Sequence, residues 1–466
     1  MRLAITHYSL LTTHHYYSPL VINVNMTDQT KTWGIIGGGI MGMTLALRLS
    51  QKGYKVTIFE SGDKPGGLTR SWEMDGVVWD RFYHVILMSD LNTRRLIEEI
   101  GLRDEFKWVE TKTGFYSGGK LYSMSNLIEF FKFPPINLVD KFRLGLTIFI
   151  ASRITNWRRL EKIYVADWLQ SLSGKRVFEK IWLPLLKAKL GENYKKTSAA
   201  FIWSTIQRMY AARKSGLKKE MFGYIRGGYD IINKMLVQNL IDRGVVFKLN
   251  SNINSVQPTD NGLLSIKTDG GDKFSYDYVV STLSPLQSVK LADTLTQEEK
   301  EKHKNVKYLG VICPSVILSK AISPYYVTNI IDDWTPFTGI IEMTALIDKK
   351  EELKGKNLVY LPKYVETDDP LFDANDNEIR EIFLGALLKM YPEISEKDIQ
   401  FFGVSKARIV FALPTIDYSK NLPGIKTSME NFYIVNSAQI INGTLNVNET
   451  ILVAENRLGE ILGTFV

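Results

Sequence analysis

Apolar residues along this chain recur with both the strand and the helix period. Trp33 to Ile36 is a short apolar run, followed by Gly37-Gly38-Gly39-Ile40-Met41-Gly42 and a helical pattern from Met43 to Gln51. Gly53 follows that pattern, where helices often end on a left-handed residue. Lys55 to Phe59 is a second strand-like run, ending at Glu60. Together these make one β-turn-α-β unit about thirty residues long. Leu91 to Ile100 predicts a helix stopped by Gly101, and residues 127–220 are predominantly helical, punctuated by Pro134, Pro135 and Pro184. Tyr229 to Arg243 predicts a helix, with strands at Val245 to Leu249 and Tyr278 to Ser281. Residues 305–412 mix strands with a helix near Asp376 to Met390; Phe432 to Val435 is a strand, and a last helix runs from about Asn448 to Leu462.

This order predicts an α/β protein with a discontinuous nucleotide-binding domain over 31–100, 222–300 and 405–466. The material between, 101–221 and 301–404, reads as a second domain of mixed helix and sheet, inserted twice. Residues 1–30 read as a disordered extension, with Met1 and Met26 both open as starts. No internal repeat or low-complexity tract interrupts the pattern.

The glycine turn carries the first candidate chemistry. Gly37-x-Gly39-x-x-Gly42 follows a strand, opens a helix and precedes a second strand that ends in an acid, the context a dinucleotide fingerprint requires. Gly37 permits the tight turn, Gly39 lets the backbone approach a pyrophosphate, and Gly42 allows close helix packing. The helix N-terminus, at Ile40 and Met41, offers free N–H groups and a positive dipole end to phosphates. Glu60, 18 residues beyond Gly42, can accept hydrogen bonds from ribose hydroxyls and disfavours a 2′-phosphate, hence NADP. The turn alone leaves NAD and FAD open.

Composition narrows the chemistry. Cys313 is the single cysteine among 466 residues, which excludes an internal disulfide and any multi-cysteine metal site. Of five histidines, three (His7, His14, His15) precede the first strand and only His84 and His303 lie in the body, so no metal site is expected. The net charge of +8 is uneven: Lys141 to Glu220 holds 18 Lys and Arg against 5 Asp and Glu, a net +13, so the rest carries −5. That imbalance suggests an anionic substrate or an anionic lipid surface; a solubilising face explains it equally well. No recognised nucleic-acid module accompanies it. No segment reaches the ~20 apolar residues of a membrane span, and the N-terminus is a poor secretory signal. A cytoplasmic location is expected, with peripheral contact at the inner face of the membrane as the alternative.

The residues after Glu60 bring a family into view. The run from Gly37 through Ser61 to Gly66-Gly67, with Leu68 and Arg70 beyond, resembles the flavoprotein superfamily of amine oxidases, protoporphyrinogen oxidases and carotenoid desaturases. Asp80-Arg81-Phe82-Tyr83-His84 is similar to that family's Asp-x-Gly-x-His pattern, with Phe82 in the glycine's place. The resemblance is strong over 33–84, moderate over 180–285 and modest at the C-terminus, where Asn436-Ser437 replaces the usual Gly-Asp. It implies FAD as cofactor in a Rossmann-type domain, with an inserted substrate domain over the flavin. It further implies that Gly66 and Gly67 pass close to the cofactor, that Arg70 replaces the arginine missing at Leu68, and that His84 lies at the ring as a catalytic or hydrogen-bonding group, a structural histidine being the alternative. The backbone at Ile253 would meet the adenine, Ser437 the ribityl or phosphate, and the N–H groups of Val447 and Asn448 the pyrimidine end of the flavin. Pro414 and Phe411 occupy the segment before the last motif, where the family has a tryptophan.

The resemblance implies an oxidoreductase taking hydride from a C–H or C–N carbon of a small molecule. Two other readings stand beside it: a non-redox flavoenzyme like UDP-galactopyranose mutase, acting on a nucleotide sugar, and a flavin-binding protein without turnover. On the substrate side, Trp157, Trp168, Trp182, Trp203, Tyr164, Tyr194 and Tyr210 are expected to be core more often than cage. Lys187, Lys189, Lys195 and Lys196 are candidate contacts for an anion, and the apolar run Phe130 to Pro135 for a bilayer.

Overall fold

The computed structural model describes residues 31–125, 127–213, 221–441 and 443–464. The extension expected over 1–30, Glu220 and the side chain of Tyr210 lie outside the described residues.

A five-stranded parallel sheet forms the first half of the architecture. Its strands run in the order Val246–Lys248, Lys55–Phe59, Thr32–Ile36, Tyr278–Ser281 and Phe432–Ile434, so three distant stretches of chain build one sheet. Side chains alternate between its faces, as the strand period requires. Ile35, Ile58 and Val280 pack into a core with the helices Ile40–Gln51, Gly228–Asp242 and Val447–Leu462. Ile36, Phe59, Val279 and Ile434 point the other way. They are covered by a three-stranded antiparallel sheet, Ile253–Pro258, Leu264–Thr268 and Lys273–Tyr276, which the periodicity did not single out. Helices, parallel sheet and small sheet thus form three layers.

The second half is built on an eight-stranded sheet around Tyr308–Leu318, whose eleven residues are all buried. The long strand Ile399–Ala412 pairs with it antiparallel and runs across residue 405. The helix Asp376–Met390 covers one face through Phe383 and Leu387. A helical layer over residues 127–213 covers the sheet near Leu309 and Phe411, and buries Trp168, Trp182 and Trp203 as core. Pro184 does not break this layer. The residues before it, Phe178–Trp182, widen into a π turn, and the helix Leu183–Leu190 continues with the proline in its first turn. A wider turn suits a proline, which lacks an N–H and would crowd the carbonyl one turn back.

Candidate functional site

The glycine turn folds as its residues require. Gly37 has φ of +110°, and a Cβ there would lie 2.3 Å from the Thr282 hydroxyl. A Cβ on Gly42 would lie 2.0 Å from the Gly37 carbonyl oxygen, so the helix packs on its own turn without room for a side chain. The helix Ile40–Gln51 starts at Gly39 with no side-chain cap and no acid in its first turn. The N–H groups of Ile40, Met41 and Gly42 have no intrahelical acceptor. An uncapped helix end on a buried segment fits an anion such as a pyrophosphate.

Glu60 stands at the mouth of this turn. Its carboxylate accepts the Gly38 N–H at 2.8 Å through Oε2 and the Gly62 N–H at 2.8 Å through Oε1. Ser61 is exposed, with its hydroxyl 3.4 Å from the same carboxylate. Chain 248–251 runs alongside: the Glu60 N–H donates to Lys248 O at 2.9 Å, and the Ser251 N–H donates to Glu60 O at 2.9 Å. This places Ile253, two residues on, beside the Glu60 end of the turn.

Gly66 and Gly67 cross directly over the glycine turn. The Gly66 N–H donates to Gly38 O at 2.8 Å, and a Cβ on Gly67 would lie 3.2 Å from Gly39 Cα. Leu68 lies in the short turn Gly67–Thr69 that follows. Arg70 turns back onto Asp63, whose carboxyl is held below its usual range first by that hydrogen bond and then by the guanidinium charge.

His84 is held by a buried carboxylate. Its Nδ1 lies 3.6 Å from Asp80 Oδ2, beyond hydrogen-bond distance. Asp80 is 1% exposed and accepts the Tyr229 N–H at 2.9 Å, at the start of the helix Gly228–Asp242. Burial pushes the Asp80 carboxyl above its ordinary range, partly offset by His84. The His84 and Tyr229 rings lie 4.7 Å apart, and the Tyr360 hydroxyl donates to the Asp80 carbonyl at 2.5 Å. The neighbouring Tyr83 shares a 2.9 Å hydrogen bond with Tyr364 on the second sheet. Burial, then Tyr364, raises the Tyr83 phenol. The motif at 80–84 therefore bolts the two halves of the protein together, through residues whose partners lie far off in sequence.

The C-terminal segment closes the arrangement. Asn436 is buried and its side chain caps the next turn by accepting the Ala438 N–H at 3.1 Å. Ser437 Oγ lies 3.3 Å from the Tyr308 hydroxyl, which burial pushes up in pKa. Asn446 caps the last helix by accepting the Glu449 N–H at 3.0 Å, leaving the Val447 and Asn448 N–H groups at its open end. The Asn448 side chain is already engaged, accepting the Asn92 N–H at 2.9 Å and the Thr93 N–H at 3.3 Å.

Sequence reasoning missed Tyr308, Tyr364 and the structural part of Asp80; no local signal marks a residue whose partner is on another sheet. It also grouped four lysines that the structure separates. Lys187 and Lys195 both pair with Glu192 on the surface, at 3.8 and 2.6 Å, and Lys196 is exposed, whereas Lys189 turns inward. In the run Phe130 to Pro135, Phe133 is 1% exposed and part of the core. The exposed apolar surface lies mainly on the next helix, Leu138–Arg153, where Leu138, Val139, Phe142, Leu146 and Phe149 are 42–71% exposed. Among the described residues no helix is long and apolar enough to cross a membrane, and no cluster of His, Cys, Asp and Glu could hold a metal.

Comparison with known proteins places the fold and the family. The mitochondrial protoporphyrinogen oxidase of Nicotiana tabacum is 28% identical over 150 residues, covering 32% of this chain and 29% of that protein. The 1-hydroxycarotenoid 3,4-desaturase of a Flavobacterium species is 21% identical over 312 residues, covering 59% and 63%. The chain thus matches less than two thirds of the length of these relatives. The crystal structure of a putative protoporphyrinogen oxidase from Exiguobacterium superposes with a TM-score of 0.72 at 18% identity, over 92% of this chain and 98% of that one, a likeness of fold. The sequence profile of the flavin containing amine oxidoreductases matches residues 40–406, and with the turn, the acid and the double glycine in place, this chain belongs to that FAD-dependent family.

Proposed function

We propose that this chain oxidises a small molecule at a C–H or C–N carbon. The observation that carries the reading is the uncapped helix end at Gly39, with Glu60 at its mouth and Gly66-Gly67 across it. In this reading Ile40, Met41 and Gly42 hold the pyrophosphate by their N–H groups, and Glu60 exchanges backbone donors for ribose hydroxyls. Ile253 backs the adenine, and Ser437 reaches the ribityl chain or a phosphate. The Val447 and Asn448 N–H groups face the pyrimidine end, where the dipole of the last helix stabilises negative charge. FAD, when bound, supplies the hydride acceptor. His84, backed by Asp80, orients or protonates at the ring edge, and the aromatic wall of Tyr83, Tyr364 and Phe411 excludes water.

The test is a visible spectrum of the purified chain, identification of the ligand released by heat, and titration of candidate substrates without air. Flavin bands with FAD released, bleached by a C–H or C–N donor, support the reading. A colourless chain that takes up no FAD overturns it. A bound substrate that is isomerised on pre-reduced flavin, with no net bleaching, would replace it with the mutase-type chemistry.

The reading also extends to a lipid surface. Between residues 130 and 164, Lys132, Arg143, Arg153, Arg158, Arg159 and Lys162 are exposed, while Asp140 and Glu161 are buried. An apolar helix face ringed by cations, with no exposed acid in that stretch, suits an anionic bilayer. The chain is expected to co-sediment with phosphatidylcholine vesicles containing phosphatidylglycerol, far less with phosphatidylcholine alone, and to be released by salt. Phe142→Glu with Leu146→Glu should abolish sedimentation without changing FAD content. Equal sedimentation of that variant, or a dimer in solution that buries the face, would refute the assignment.

A further inference from the structure

Lys189 sits where the three parts of the protein converge. It lies on the helix Leu183–Leu190 of the helical layer, and its ammonium is 3.2 Å from the centre of the Tyr364 ring and 5.7 Å from that of Phe411. Both rings belong to the second sheet, and both are registered against the central strand, Tyr364 beside Val311 and Phe411 beside Leu309. That strand begins at Tyr308, the hydrogen-bond partner of Ser437. The Tyr364 hydroxyl in turn holds Tyr83, the chain neighbour of His84. The lysine thus lies one ring away from residues that hold the histidine loop, through Tyr364 and Tyr83, and one strand position away from the partner of Ser437, through Phe411 and Leu309.

Among the described residues no acidic side chain pairs with its charge. Lys187 and Lys195, on the same stretch, share the carboxylate of Glu192. Lys189 is half-buried, and among the described residues it makes no ion pair or hydrogen bond, only the two ring contacts. A cation drawn out of water against aromatic faces keeps part of its stabilisation through the rings. Its remaining N–H donors still seek an acceptor, and a partly desolvated cation binds an anion more strongly than a solvated one does.

We infer that Lys189 anchors an anionic group of the substrate, a carboxylate or a phosphate, and so sets the specificity of this site for acidic molecules. The inference rests on the flavin reading above and deepens it. A substrate held by its anion at Lys189 would extend its reacting carbon toward the space beside His84. Lysine takes part through its charge alone; no bond to it forms or breaks.

The test uses the FAD-loaded full chain and reads the flavin difference spectrum during titration with benzoate, with benzyl alcohol as the neutral counterpart, and with inorganic phosphate. Benzoate, phosphate or both should perturb the wild-type spectrum with saturation, and benzoate should do so more tightly than benzyl alcohol. Lys189→Met should weaken the anion at least ten-fold, leave benzyl alcohol unchanged and keep the FAD content of the wild type. Lys189→Arg should retain anion binding, since the charge is kept. If Lys189→Met fails to fold, Lys189→Gln carries the same comparison. Which anion responds identifies the acidic group. Wild-type spectra indifferent to both anions, or equal anion affinity in Lys189→Met, would overturn the inference while FAD uptake leaves the flavin reading standing. A wild type that takes up no FAD would overturn both.

Discussion

Gly42→Ala is expected to cost the chain its flavin, with affinity for FAD falling by roughly a hundredfold or more, about 2.7 kcal/mol. The added Cβ would lie 2.0 Å from the Gly37 carbonyl oxygen and 3.2 Å from its carbon. The obstruction is backbone, so no rotamer relieves it. The turn is pinned on three sides: the Gly37 N–H bonds Phe59 O, the Thr282 N–H bonds Ile36 O and the Gly66 N–H bonds Gly38 O, each at 2.8 Å. The helix start must therefore shift, taking the N–H groups of Ile40 and Met41 with it. Overpacking of this kind costs about 1–3 kcal/mol in the fold alone, and the anion site loses its geometry besides. Gly39→Ala is the control. Its Cβ would meet nothing nearer than Gly67 Cα at 3.9 Å, so it should melt like the wild type and affect only the bound cofactor. The measurement is FAD per chain from absorbance, with a titration of the apoprotein. A Gly42→Ala chain that binds FAD as the wild type does would refute this account of the turn.

Stability should also depend on pH through Glu342, and Glu342→Gln should remove that dependence. Glu342 is 1% exposed, on the strand Gly339–Glu342 in the core of the second sheet. Burial pushes its carboxyl up to about 7 from an ordinary 4.5; hydrogen bonds from Thr344 and from the Ile322 N–H, the latter at 3.2 Å, oppose the shift. The folded-state value lies above the unfolded one, so the stabilising neutral form is complete below about 4.5. The contribution is lost as pH rises through about 7. A shift of this size corresponds to roughly 3 kcal/mol over that window. Glutamine is neutral at every pH; its amide N–H can donate to the Thr344 hydroxyl and its oxygen can accept the Ile322 N–H. The variant should therefore gain on the wild type between pH 5 and pH 8, by roughly 2–3 kcal/mol, seen as a widening gap in melting temperature. A gap that stays constant across that range would show that Glu342 does not titrate there.

Both expectations concern backbone and burial, and they divide along the line between what is local and what is not. The turn at Gly37, Gly39 and Gly42 was legible in the sequence because its chemistry is contained within a few residues. Positive φ, close approach and a free helix end are demands on consecutive positions, so the residue types themselves record them. The same holds for the strands and helices of the first sheet, whose period of burial is written along each segment, and for Glu60 at a strand end. The exclusion of a disulfide or a multi-cysteine metal site followed from counting alone.

Other features were decided only by the tertiary structure. The antiparallel layer over Ile253–Pro258 has short strands with weak alternation, and only packing against Phe59 and Phe432 gives them a core. Asp80 reads as one acid in a motif, but its role comes from Tyr229, 149 residues away, and from Tyr360, 280 away. Pro184 looks like a stop, yet the helix continues because a π turn makes room for it. Four lysines within ten positions look alike in sequence. Only packing against Tyr364 and Phe411 turns Lys189 inward, away from the surface partner its neighbours share. By itself the sequence determined the glycine turn and the parallel strands and helices around it, because those follow from local backbone geometry and periodic burial. The setting of Lys189 was left to the tertiary structure, because a side chain's charge acquires a direction and a partner only when segments far apart in the chain are packed against one another.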